Sequence, residues 1–214
     1  MPPDLPSTVA APVSVELEIK RSRFLAHLSP AADLSAAETV IARCRKEHWE
    51  ARHHCTAMIL GTHADQQRSS DDGEPAGTAG SPMLDVLRHR ALTDVVVVVT
   101  RYFGGVLLGA GGLVRAYSGA VSQACDAATV LRRERVRELV VDVPHAEAGR
   151  VGAFVHSWAA QHRAVALDPE YGASARLGAL VRLDDVGTFE ADLAALTLGA
   201  VTALHGEVRV VSVP

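Results

Sequence analysis

The chain has only two lysines, Lys20 and Lys46, few aromatic residues (4%) and just three cysteines, Cys44, Cys55 and Cys125. The cysteines lie far apart and form no CxxC pair. That argues against a disulfide framework or a closed zinc site and fits a reducing cytoplasm. Long apolar runs are missing too. The longest, Val95 to Val99, falls far short of the about 20 residues that span a bilayer, so no membrane association is expected. The first residues carry Pro2, Pro3, Pro6 and Pro12 but no basic n-region or apolar h-region. They read as a flexible tail over residues 1–12 rather than a signal peptide. A strong charge of either sign is absent as well. The formal net charge is −4, with a small acidic excess in each half. No global field draws the chain onto nucleic acid, although a local patch stays open. The hydrolase strings GxSxG and HExxH do not occur, and no glycine run ends in Gly-Lys-Ser/Thr.

What is present is a core. The 214 residues are 48% apolar, enough for one or two globular domains. Val13, Val15, Leu17 and Ile19 alternate with polar residues and predict a half-buried strand; Phe24, Ala26 and Leu28 predict a second. Ser35 followed by Glu38 resembles a capping box opening a helix with Leu34, Ala37, Ile41, Cys44 and His48 on one face. A strand near 54–60 precedes a polar, glycine-rich loop from about 61 to 80, long enough to be functional or disordered. Ser81-Pro82 reads as the cap and first residue of a short helix. Asp94 to Tyr102 reads as a strand buried on both faces. A glycine turn over 104–112 leads into a long helix. Leu131 to Glu134 forms a charged break. Beyond it the pattern is β-α-β-β-α-β, the ferredoxin-like arrangement. The fold class is therefore α+β, with a tail over 1–12, a first domain over 13–131 and a second over 132–214.

Three regions could carry chemistry. In Ser70 to Gly80, the carboxylates Asp71, Asp72 and Glu74 could hold a divalent cation, receive a partner's basic groups, or bond backbone amides of their own turn. The run Arg101-Tyr102-Phe103-Gly104-Gly105-Val106-Leu107-Leu108-Gly109-Ala110-Gly111-Gly112 ends at a helix N-terminus. Amides there favour anions, and Arg101 and Arg115 could clamp a phosphate while Tyr102 or Tyr117 stacks on a base. The glycines do not fit GxGxxG, so a nucleotide-specific signal is weak. In Arg52-His53-His54-Cys55, strand alternation puts His53 and Cys55 on one face, where they could begin a metal site or simply end a strand.

Taken together, Lys20-Arg21-Ser22-Arg23-Phe24, Ala51 to Cys55, Ser70 to Gly80 and Arg101 to Gly109 resemble the YigZ/IMPACT family over about residues 15–125. The back half is similar to the smaller C-terminal domain of bacterial members, which is ferredoxin-like and similar to the last domain of elongation factor G. The resemblance implies a ribosomal-protein-type βαβ fold for the first domain and a link to translation. It brings no established catalytic activity. Eukaryotic members restrain a stress kinase with an added N-terminal module; this chain has only its Pro-rich tail there, so that pathway is not carried over. The expected activity is binding of RNA or a ribosomal component, with Lys20, Arg23, Arg101 and Arg115 on phosphates, Tyr102 stacking, and Gly104, Gly105, Gly109, Gly111 and Gly112 allowing close approach. The alternative is an enzyme on a phosphorylated small molecule. It would use His53, Asp71, Asp72 or Glu74 for metal or acid–base work and needs a pocket where these groups converge. A purely protein partner is the third reading. No cofactor is expected beyond a divalent cation held by those carboxylates.

Overall fold

The computed structural model describes residues 5–213. They divide into two compact units, one built on residues up to Arg133 and the other on Glu134–Val211, so the division falls inside the charged break. In the first unit the elements are β1 (Thr8–Val9), β2 (Val13–Ile19), β3 (Ser22–Pro30), α1 (Leu34–Glu47), β4 (His53–Leu60), β5 (Gln66–Ser70), α2 (Gly80–His89), β6 (Val95–Tyr102) and α3 (Ala110–Ala127). The long β7 (Val130–Val143) then carries the chain into the second unit.

The first unit's sheet has the order β2-β3-β6-β4-β5 and is antiparallel throughout. Because β3 and β4 both pair with β6, they run parallel to each other and are joined by α1, a split βαβ unit. The valine run of β6 is buried on both sides for that reason. Val95, Val97 and Val99 meet Phe24 and Tyr117 beneath α2 and α3, while Val96 and Val98 meet Met58 and Ala37 beneath α1. One helix about 10 Å wide covers about two strands spaced about 4.8 Å apart. Accordingly α1 packs chiefly on β4 and β6 and leaves the polar side of β2 (Ser14, Glu16, Glu18) open.

The second unit adds α4 (His145–His162), β8 (Val165–Ala166), β9 (Glu170–Tyr171), β10 (Ala175–Arg182), α5 (Val186–Thr197) and β11 (Leu204–Val213). Its strand order β11-β7-β10-β8, with β9 beside β10, is ferredoxin-like. Trp158 and Phe189 meet edge to face at 5.0 Å in its core. Among the described residues no helix is long and apolar enough to cross a membrane.

Four local expectations are corrected. The tail is structured where Thr8 and Val9 pair with Leu131 and Val130, and Val9 is buried; two residues are too few to show a period, and residues 1–4 lie outside the described ones. α1 is capped by Asp33, whose Oδ1 accepts from Ala36 N–H at 2.8 Å, so Ser35 lies within the helix and caps nothing. The loop over 61–80 contains β5, which forms a hairpin with β4 despite having no apolar residue. α2 starts at Gly80, ahead of Ser81-Pro82, and takes its cap from a distant side chain described below.

Candidate nucleic-acid interface

Register alone collects the loops of interest at one end of the first sheet. Ile19 pairs with Ser22, Arg23 with Tyr102, His53 with Arg101, and Thr56 with Ser70. The turn Lys20-Arg21, the segment 48–52, the loop 71–79 and the loop 103–109 with the start of α3 therefore all emerge where these strands begin or end.

At that end Glu74 is buried, Asp71 and Asp72 are partly covered, and Glu50 is exposed. Arg101 is only 7% exposed, and its Nη1 donates to Glu74 Oε1 at 2.7 Å. The Tyr117 hydroxyl donates to the same oxygen at 2.7 Å. The Arg101 guanidinium lies over the rings of Phe24 and Phe103, at 5.5 and 5.6 Å, and its Nε has no hydrogen-bond partner. Burial holds the Tyr117 hydroxyl well above its ordinary pKa, and burial pushes the Cys55 thiol up to about 12. All these groups hold the loop to the core. Arg101 and Tyr117, expected to meet a ligand, are thus corrected to internal positions: strand alternation puts Arg101 on the face of Val97 and Val99, under α3.

Asp71 accepts from the N–H groups of Gly77, Ala79 and Gly80 at 2.8, 3.0 and 2.8 Å, which makes it the cap of α2. Asp72 accepts from Arg45 at 2.9 Å and from His54 N–H at 2.7 Å, and its carbonyl accepts from His53 Nδ1 at 2.9 Å. These oxygens are spent on the protein's own donors. Among the described residues no three His, Cys, Asp or Glu side chains stand together to hold a metal ion. Burial raises the Asp71 pKa, but the three amide bonds outweigh it and leave the carboxyl below its ordinary value. Its stabilising contribution is therefore complete above the ordinary carboxylate pKa and is lost as pH falls through the lowered one. Asp71→Ala is expected to cost about 2 kcal/mol in urea unfolding at neutral pH. The gap to the wild type should narrow as pH falls through that lowered value.

The outward side is different. Lys20, Arg21, Arg52 and Arg115 are exposed and form no ion pair among the described residues. Lys20 and Arg21 have φ of 47° and 66°, a two-residue turn of the kind that Asn-Gly suits. An L side chain in this region costs about 1 kcal/mol each. Arg23 is engaged bidentately by Glu16 at 2.7 and 2.9 Å and lies over the Tyr102 ring at 5.4 Å. Tyr102 itself is half-buried, with its hydroxyl 3.1 Å from His48 Nδ1, so it is not the free stacking ring expected of it. Two aromatics that sequence reasoning passed over are open instead, Phe103 at 53% and Trp49 at 76% exposure, with Leu107 at 83% beside Phe103 in the chain's glycine loop. Neither aromatic belongs to a periodic pattern, which is why neither stands out in the sequence.

Gly104 lies against the backbone of Arg21, and its N–H donates to Ser22 Oγ at 3.1 Å. Gly105 is exposed at the loop's tip. Gly109, at φ 70°, precedes α3 without a side-chain cap, while Gly111 and Gly112 belong to the helix's first turn. The Arg115 guanidinium folds back to within 3.8 Å of where a Cβ on Gly111 would stand, so a cation lies over the positive end of the helix dipole. None of the loop carboxylates, His53 or these glycines lines the cleft of about 240 Å³ found on the α1 face.

A family model for the Impact N-terminal domain matches residues 20–125. The IMPACT family member YigZ of Escherichia coli (strain K12) is 38% identical over 197 residues, 91% of this chain and 95% of that protein. The IMPACT family member YvyE of Bacillus subtilis (strain 168) is 43% identical over 136 residues, 64% of this chain and 63% of that protein's own length. A solved crystal structure of "an hypothetical protein", 37% identical, superposes with a TM-score of 0.62 over 95% of this chain and 98% of the other.

Proposed function

This chain belongs to the IMPACT family, and we propose that it is a translation-linked binding protein of the cytoplasm whose first unit engages single-stranded RNA, ribosomal or ribosome-associated, through the loop-bearing end of its sheet. The observation that carries the reading is the turn Lys20-Arg21. Two cations without acidic partners among the described residues occupy consecutive positive-φ positions, which an L side chain disfavours. Arg52 and Arg115 add charge, the uncapped start of α3 adds amides, and Phe103 and Trp49 offer ring faces on which bases stack. A net charge of −4 keeps this patch local and disfavours indiscriminate binding. The three free, buried cysteines suit a reducing compartment. The enzymatic alternative gains no support, since the groups it needs are bonded to one another or to other groups of the chain.

The test follows from the turn. Lys20→Asn/Arg21→Gly is expected to raise the unfolding free energy by about 1–2 kcal/mol. The same variant should weaken binding of a fluorescein-labelled ribosomal RNA fragment. It should also flatten the dependence of log K on log salt by about 0.7 for each phosphate that is no longer neutralised. Adding Arg115→Ala should flatten it further. An unchanged affinity and slope, in a variant whose stability has risen, would overturn the reading.

A further inference from the structure

The cleft on the α1 face belongs to none of these loops. It lies in the space that α1 leaves open beside β2 and β3, and encloses about 240 Å³. That is room for a flat heterocycle but not for its sugar and phosphate as well. Leu25 gives it an apolar wall, and Ser14, Glu16, His27, Glu47, His48 and Thr100 supply the polar lining, with Glu16 already engaged by Arg23.

The hydrogen-bonding character of these groups can be worked out. A guanidinium only donates, so His27 Nε2, 2.7 Å from Arg43 Nη2, accepts. The His27 proton is therefore on Nδ1 and is donated to Ser14 Oγ at 2.8 Å, which leaves the Ser14 hydroxyl proton to be given elsewhere. Burial, and then the Arg43 charge, hold His27 below its ordinary pKa. Thr100 is the informative residue. It is 2% exposed and lines the cleft, so its hydroxyl is the enclosed one there. Glu47, at the mouth, approaches Arg43 only to 3.9 Å, so its carboxylate can accept further bonds. The cleft therefore offers a buried hydroxyl on Thr100, an exposed one on Ser14, a carboxylate acceptor on Glu47 and an apolar wall.

We propose that this cleft takes one unpaired nucleobase bearing an exocyclic amino group. Glu47 accepts the amino N–H, and Thr100 or Ser14 donates to the unprotonated ring nitrogen beside that amino group, a position that carries a proton in uracil. The proposal rests on the RNA reading above and adds a base-selecting subsite to it. Leu25 and Thr100 lie two residues, about 7 Å, along β3 and β6 from Arg23 and Tyr102. A base in the cleft thus leaves its backbone beside the strand ends that carry the free cations. Uracil lacks the amino group and is the base the cleft rejects.

The experiment titrates 15N-labelled full chain with free adenosine, cytidine and uridine, and separately with the octamers rA8, rC8 and rU8. Adenosine and cytidine are expected to shift the amides of Ser14, His27 and Thr100. The rA8 and rC8 octamers should bind about tenfold more tightly than rU8. Thr100→Val should remove that preference, Thr100→Ser should keep it, and Glu47→Gln should reduce it without disturbing the fold. Three octamers bound equally, with shifts confined to the loop 103–109, would overturn the cleft and leave the RNA interface standing. Nucleosides that shift the cleft amides while no octamer binds would support the cleft and remove the interface. A Thr100→Val chain that retains the wild-type spectrum and the full preference would also overturn the proposal.

Discussion

Glu74→Ala is expected to destabilise the first unit by about 3–5 kcal/mol, the largest single effect the structure predicts. The Glu74 and Arg101 side chains are only 3% and 8% exposed, and one carboxylate oxygen takes bonds from both Arg101 and Tyr117. Removing the carboxylate strands a guanidinium whose Nε already lacks a partner, and a phenol that burial keeps protonated. The loop 71–79 would also lose its hold on β6 and α3. Replacing both charges with apolar residues of similar volume, as in Glu74→Leu/Arg101→Met, should recover most of the loss, because a buried pair contributes less than its breaking costs. Denaturant unfolding of the single and double variants measures this directly. A single variant as stable as the wild type would mean that Arg101 reaches solvent.

Gly104→Ala should be nearly as damaging, at about 3 kcal/mol. A Cβ there would stand 2.0 Å from the Arg21 carbonyl carbon, 2.1 Å from its oxygen and 2.4 Å from Ser22 N. These are backbone atoms and cannot rotate aside. The turn 20–21 and the loop 103–109 would have to part, breaking the Gly104 N–H bond to Ser22 Oγ. RNA affinity should therefore fall more than removal of any one cation explains, since the Lys20-Arg21 turn would leave the neighbourhood of Phe103. Gly105→Ala is the control. It has open space but φ 84°, so it should cost about 1 kcal/mol and leave binding largely intact.

Period and punctuation made much of this fold readable. The alternation in Val13–Ile19, the valine run of β6 and the helix faces after residue 145 each mark one element, and the order of elements in the second unit matches the expected ferredoxin-like pattern. β5 was hidden because Gln66 to Ser70 is polar on both sides and exists only through its pairing with β4. The capping of α2 was hidden because Asp71 is far from the helix in sequence, and only the fold brings it there. At the candidate site, the residue types pointed to loops that the fold gathers at one end of the sheet, but not to the orientations of their side chains. Arg101 and Arg115 read alike in the sequence, yet alternation on β6 buries one and the surface of α3 exposes the other. By composition the Asp71, Asp72 and Glu74 cluster leaves open a cation, a partner's basic groups or the amides of its own turn; its actual partners are amides and cations of the chain itself.

Ultraviolet cross-linking of the wild-type chain to a single-stranded ribosomal RNA fragment, followed by peptide mapping, bears most directly on where the protein binds. Cross-links at Phe103, at Trp49 and in the peptide carrying Lys20-Arg21 are expected, with yields that fall in Lys20→Asn/Arg21→Gly. Cross-links confined to residues beyond Glu134, or none at salt low enough to preserve phosphate binding, would contradict it.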